Sequence, residues 1–168
     1  MRRLAIATAL VAGALFAVPA AGQDLAAGRE AYRRQDFATA LVELHPLGRS
    51  GMAEAQFLVA RMYSNGIGVQ KNREEAANWY GLAARQGHPV AQLHFGFYFR
   101  RGYGVPKDRV MSYMWTALSA ELGHTEAIEW RDKVALEMTA PEIALARRLA
   151  DDWLAKFRGA RETAPTSR

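Results

Sequence analysis

The sequence predicts an all-α solenoid, a row of antiparallel helix pairs stacked side by side, and three observations predict it. The first is that the chain matches itself at an offset of 36 residues. Self-similarity at a fixed period marks a stacked array, because a unit this short buries its apolar face only against a neighbour. At that offset 11 of the 35 positions from Ala53 to Gly87 are identical, among them Ala55 with Ala91, Gln56 with Gln92, and Trp79 with Trp115. The second is helical spacing of the apolar residues inside each unit. The third is composition. The 168 residues are 50% hydrophobic and 23% charged, with no cysteine. That excludes collagen-like, disulfide-stapled and wholly disordered chains, and with them thiolate zinc sites, iron–sulfur clusters and thiol nucleophiles.

Residues 1–22 read as a secretory signal peptide. Arg2 and Arg3 precede an uncharged run from Leu4 to Val18, and Ala20 and Gly22 suit the small-residue pockets of signal peptidase. Cleavage is expected between Gly22 and Gln23, leaving the chain in the periplasm or the medium. The apolar run is shorter than the roughly 20 residues of a membrane span, so no stable span is expected after cleavage. The net charge of +5 is partly the leader's, since losing its two arginines leaves 20 basic against 17 acidic side chains. With no long basic run, nucleic acid is not an expected partner.

Residues 23–158 form the solenoid. The stretch 24–50 reads as an atypical first helix pair, with Ala31, Tyr32, Phe37, Ala40, Leu41 and Leu44 apolar and Pro46 bending its second helix. Repeats follow at 53–87 and 89–123. In the first, Ala55, Val59, Met62 and Tyr63 line one helix, and Ala76, Trp79, Tyr80 and Ala83 line the next. Gly87 ends that helix, and Pro89 suits the first turn of its successor. Between the helices, Gly66 with Gly68 and Gly102 with Gly104 supply positive φ in a turn. Neither pair follows an apolar strand or continues as a phosphate-binding loop, so no nucleotide cofactor is expected. Residues 124–158 make a partial repeat and a capping helix, opened by a capping box of Thr139 and Glu142 and burying Ile143, Ala146, Leu149, Ala150, Trp153 and Phe157. The tail, 159–168, has no recurring apolar residue and is expected to be disordered.

The runs from Ala53 to Tyr63, Asn65 to Val69 and Glu75 to Tyr80 resemble the Sel-one-like repeat (SLR), a relative of the tetratricopeptide repeat, and Gly102, Gly104, Val105, Asp108, Trp115 and Gly123 repeat the pattern. The resemblance implies a right-handed α/α superhelix whose inner surface holds a protein or peptide, as an adaptor does. Ser112, Tyr113 and Thr116 depart from it, standing where the family prefers alanines and tyrosine. Some secreted bacterial members tie each repeat with a disulfide, so an activity suspected for those members does not transfer to a chain without cysteine.

No catalytic or metal constellation emerges. His88 and His124 hold the same turn position 36 residues apart, and His94 has no second histidine at i+3 or i+4 with which to hold zinc. Glu74 with Glu75, and Asp151 with Asp152, are adjacent and so diverge by about 100° on a helix. The aromatic residues at helical spacing read as core. The face of each first helix opposite the core then carries function. Its successive equivalents are Arg61, Phe97 and Lys133, and Leu58, His94 and Trp130. Arg61, His94, Phe97, Arg101 and Trp130 are the expected partner-binding residues of a non-enzymatic scaffold. A peptidoglycan-binding or peptidoglycan-active enzyme of the cell envelope is the alternative, and it requires two carboxylates, or a serine and a lysine, converging in a pocket.

Overall fold

The computed structural model describes residues 24–163, which form eight helices in chain order: α1 (Leu25–Arg33), α2 (Phe37–Arg49), α3 (Ala53–Asn65), α4 (Arg73–Arg85), α5 (Pro89–Arg101), α6 (Arg109–Glu121), α7 (Glu126–Ala135) and α8 (Ala140–Thr163). The expected signal peptide lies outside the described residues. The 36-residue period reappears in the helix boundaries, since α2, α4 and α6 start at Phe37, Arg73 and Arg109 and α3 and α5 start at Ala53 and Pro89. Each of these five helices has 13 residues. α2 keeps that length although Pro46 lies inside it.

Capping explains why the second helices begin where they do. A helix start leaves backbone N–H groups without intrahelical partners, and a short polar side chain supplies an acceptor. Asp36, Asn72 and Asp108 are also 36 residues apart, and each accepts from N–H groups of the first turn of α2, α4 or α6. The repeat helices α3 and α5 end on Gly66 and Gly102, both in the left-handed conformation. The second glycine of each loop has a packing reason. A Cβ on Gly104 would lie 2.5 Å from the Arg73 carbonyl oxygen, and one on Gly68 would lie 2.7 Å from Phe37 Cβ. Each loop therefore docks on the N-terminus of the preceding pair's second helix.

The repeated glutamines tie one pair to the next. Gln56 Nε2 donates to the Gly48 carbonyl at 3.0 Å, and Gln92 Nε2 donates to the equivalent Ala84 carbonyl at 3.1 Å. Gln86 also donates to Gln56 Oε1 at 2.6 Å. Leu122 holds the position equivalent to Gln86 in the second repeat, and Gln92 Oε1 is left buried and unpartnered. Alanines at Ala55, Ala76, Ala83, Ala84 and Ala91 are fully buried and let the helices approach, while Trp79 and Trp115 fill the volume beside them.

The far end departs from the period. The Thr139–Glu142 capping box forms, with Glu142 accepting from the Thr139 N–H at 2.7 Å. α8 then packs chiefly on α6 rather than on α7. It crosses that helix with Trp153 against Trp115, ring centres 6.0 Å apart, and sets the Phe157 ring over Gly87. Ala146, Ala150 and Leu154 are its buried residues, whereas Ile143, Leu149, Trp153 and Phe157 are half-buried. The helix continues through Gly159 to Thr163, beyond where apolar spacing stops and into the stretch expected to be disordered. Once nucleated, a helix gains one hydrogen bond per added residue, and no proline intervenes before Pro165.

Candidate functional site

Three of the five residues expected to bind a partner converge. His94, Phe97 and Trp130 line one cleft of about 210 Å³ with Leu93 and Glu126. Phe97 and Trp130 meet edge to face with centres 5.8 Å apart. Arg101 lies beside them, its guanidinium 5.4 Å from the Phe97 ring, and lines a neighbouring cleft with Arg100, Lys107 and Glu137. Arg61 stands apart. It lies over Tyr32 and Phe57, at 5.4 and 5.8 Å, and lines neither cleft. Leu58, the first member of the His94 and Trp130 row, is buried in the core instead of facing outward. Leu93, Glu126, Arg100 and Lys107 were not singled out by sequence, because a cleft's walls come from two helices and a loop while periodicity reports one helix at a time.

The two junctions differ in side-chain size, and one of the smaller residues, Leu93, is a wall of the aromatic cleft. At the first junction Phe57 stacks on His88 at 4.7 Å and Tyr80 stacks on His94 at 5.0 Å. The residues 36 positions later are Leu93 and Thr116. Both are smaller; Leu93 lines the cleft, whereas Thr116 is buried outside it. Thr116 turns its hydroxyl back to the Ser112 carbonyl at 2.9 Å, and its methyl faces Gly96. His88 caps α5 through Nδ1 and reaches Glu54 through Nε2 at 2.9 Å. Val90 replaces Glu54 at the next junction, and His124 Nε2 is buried without a hydrogen-bond partner, 3.8 Å from Glu126.

Burial sets the protonation states here. His94 is pushed down to about 4, chiefly by burial and next by the positive charge of Arg61, so it is neutral at pH 7. Burial raises Tyr80 and Tyr98, and Tyr98 donates to the Ser64 hydroxyl at 2.8 Å. Glu137 is held below its ordinary range by its hydrogen bond from Arg100.

Another cleft lies between α7 and α8 with α6 as its floor. It measures about 410 Å³ and carries Glu121, Asp132 and Asp151 beside Arg131 and Arg147. Carboxylates do share this cleft, yet all three are exposed and Asp132 is bridged by Arg131 at 2.7 Å. A general acid requires a carboxyl kept protonated by a dry surrounding, which this surface does not provide. No group of three or more histidine, aspartate or glutamate residues among those described is placed to hold a metal ion. No described helix is long and apolar enough to cross a membrane.

Stacked helix pairs joined by a glycine loop of this kind define an SLR solenoid. The Sel1 repeat family model matches residues 53–88 and 89–124, so the chain contains two Sel1 repeats. Among solved structures, a protective antigen of uropathogenic Escherichia coli with an SLR fold superposes with a TM-score of 0.74 over 84% of this chain and 32% of its own, at 23% identity. A Sel1 repeat protein from Oxalobacter formigenes gives 0.64 over 77% of this chain and 56% of its own, at 28% identity. Chitin synthase regulatory factor 3 of Schizosaccharomyces pombe is 43% identical over 53 residues, which is 32% of this chain and 6% of that protein. The chain thus spans only a small part of that relative's length. Sel1 repeat proteins generally mediate protein–protein interaction and are typically non-catalytic scaffolds.

Proposed function

We propose that this chain is an exported, non-enzymatic scaffold that holds a protein or peptide on the face formed by α3, α5 and α7. The observation that carries the reading is the cleft of Leu93, His94, Phe97, Glu126 and Trp130 at the second junction, with Arg101 beside it. Half-buried aromatic rings next to a cation suit a protein partner, since such surfaces supply apolar anchoring and a polar rim. The local similarity to a protein named as a regulatory factor of chitin synthase is in keeping with a regulatory rather than a chemical role. Export rests on the pattern of residues 1–22.

The deciding experiment compares capture of partners from the compartment where the protein resides by the parent chain and by an Arg61→Glu, Phe97→Ala, Arg101→Glu variant. The expected result is loss of a specific partner with the helical circular dichroism spectrum retained. Equal capture by both moves the binding site off this face. N-terminal sequencing of the chain expressed with its own leader tests export: a start at Gln23 supports it, and an intact Met1 in the cytoplasmic fraction overturns it.

A further inference from the structure

Resting on the reading of this face as a peptide-holding surface, we propose that its occupant is an extended segment carrying an apolar side chain and, about three residues along, a carboxylate. Leu93, His94, Phe97, Arg100 and Arg101 occupy positions i, i+1, i+4, i+7 and i+8 of α5, which is one stripe along a helix. The stripe joins two clefts. The aromatic one, about 210 Å³, lies at the Leu93 end, and a basic one of about 260 Å³, lined by Arg100, Arg101, Lys107 and Glu137, lies at the other. Six residues of helix separate their middles, roughly 9 Å at 1.5 Å per residue. An extended chain covers that distance in about three residues at 3.3 Å each.

Charge selects the second group. Glu137 is already engaged, accepting from Arg100 through its carboxylate and from Arg109 through its main-chain carbonyl at 2.9 Å. Among the described residues, Arg101 and Lys107 have no carboxylate within 4 Å, and the same is true of Arg61 on α3 and of Arg73 at the start of α4. Arg73 instead lies 3.8 Å from the Tyr103 ring, which meets Phe97 edge to face with centres 6.0 Å apart. A carboxylate in the basic cleft gains charge-assisted hydrogen bonds, whereas a lysine there meets unpaired cations. Glu126 sits at the aromatic end, so the field along α5 is polar and places the acidic group of the occupant at the Arg101 end. The aromatic cleft takes an uncharged anchor because four of its five lining residues, Leu93, His94, Phe97 and Trp130, carry no charge, and the fifth, Glu126, repels an acid.

The test uses four capped hexapeptides and the ¹⁵N-labelled full chain, read by the indole N–H signal of Trp130 and the side-chain signal of Arg101. The probes are Gly-Leu-Ser-Ser-Glu-Gly and three relatives: one with alanine for leucine, one with lysine for glutamate, and one with glutamate directly after leucine. The first probe is expected to shift both signals, with each of the others weaker by about tenfold. Arg101→Glu combined with Lys107→Glu should abolish the preference for glutamate over lysine while Trp130 still responds to leucine. Arg148→Glu combined with Lys156→Glu, on the exposed side of α8, makes the same change of net charge and should keep the preference. Indifference to the acid, or preference for lysine, overturns the inference and leaves the peptide-holding face standing. Silence of Trp130 to all four probes at millimolar concentration removes the face as well.

Discussion

A methyl group at Gly104 would sit 2.5 Å from the Arg73 carbonyl oxygen and 2.6 Å from Glu74 Cα, on a backbone held at a φ of +65°. Left-handed backbone costs a non-glycine residue about 1–2 kcal/mol, and overpacking adds about 1–3. Gly104→Ala is expected to destabilise by about 2–5 kcal/mol in urea unfolding, and Gly123→Ala, where nothing lies within 4 Å of the added atom, by only the conformational part. Equal losses would mean that the loop does not press on α4. His94 gives a second residue-level expectation. Its pKa is lowered to about 4 in the folded chain from an ordinary 6.5, so the unfolded chain binds the proton first. Stability is then full above about pH 6.5 and declines as pH falls towards 4, by about 3 kcal/mol at most. An NMR titration of the His94 ring should show a midpoint below 5, and His94→Gln should flatten the acid limb of the stability profile between pH 6.5 and 5.

Among the elements, α8 does what neither repeat can do for itself. An array's last unit exposes an apolar face, and a closing element must cover it. α8 covers α6 with Ala146, Ala150, Leu154 and Trp153 and reaches back to Gly87 with Phe157. Truncation after Met138 uncovers Trp115 and Tyr113, which are 4% exposed in the intact chain. The truncated chain is expected to bind a hydrophobic dye and to melt about 10 °C or more lower; an unchanged melt would show that α8 is dispensable. The helix starts are set more locally. Asn72 accepts from both Glu74 and Glu75 N–H groups, at 3.0 and 3.1 Å. Its replacement by alanine should cost about 1 kcal/mol, measured by the same unfolding curves.

Across the whole molecule, the second helix of each pair meets the first helix of the next, so a defect in one unit weakens its neighbour. Trp79 packs on Gly48 and His45 of the preceding pair, and Trp115 packs on Phe95 and Trp153. Either Trp→Ala change opens a cavity and is expected to cost about 3–5 kcal/mol. Hydrogen exchange should speed up in α2 for Trp79→Ala and in α8 for Trp115→Ala. Melting within a degree of the parent for both variants would place these rings off the core.

The sequence by itself determined the period, the helix pairs, the capping box of Thr139 and Glu142 and the turn glycines. These depend on contacts within about four residues or on identities repeated every 36, and both are written in linear order. The caps at Asp36, Asn72 and Asp108 are equally local, and it took the helix boundaries of the structure to show them. The cleft was only half legible. His94, Phe97 and Trp130 were marked by their row on the first helices, but Leu93 and Glu126, which close the cleft around them, come from how α5 packs against α7. The course of α8 was decided by tertiary structure alone. Its apolar spacing says that it buries a face, and the choice of α6 over α7 follows from which neighbour offers Trp115 and a bare glycine at position 87. Local rules fix where a helix begins, and only packing fixes what it lies against.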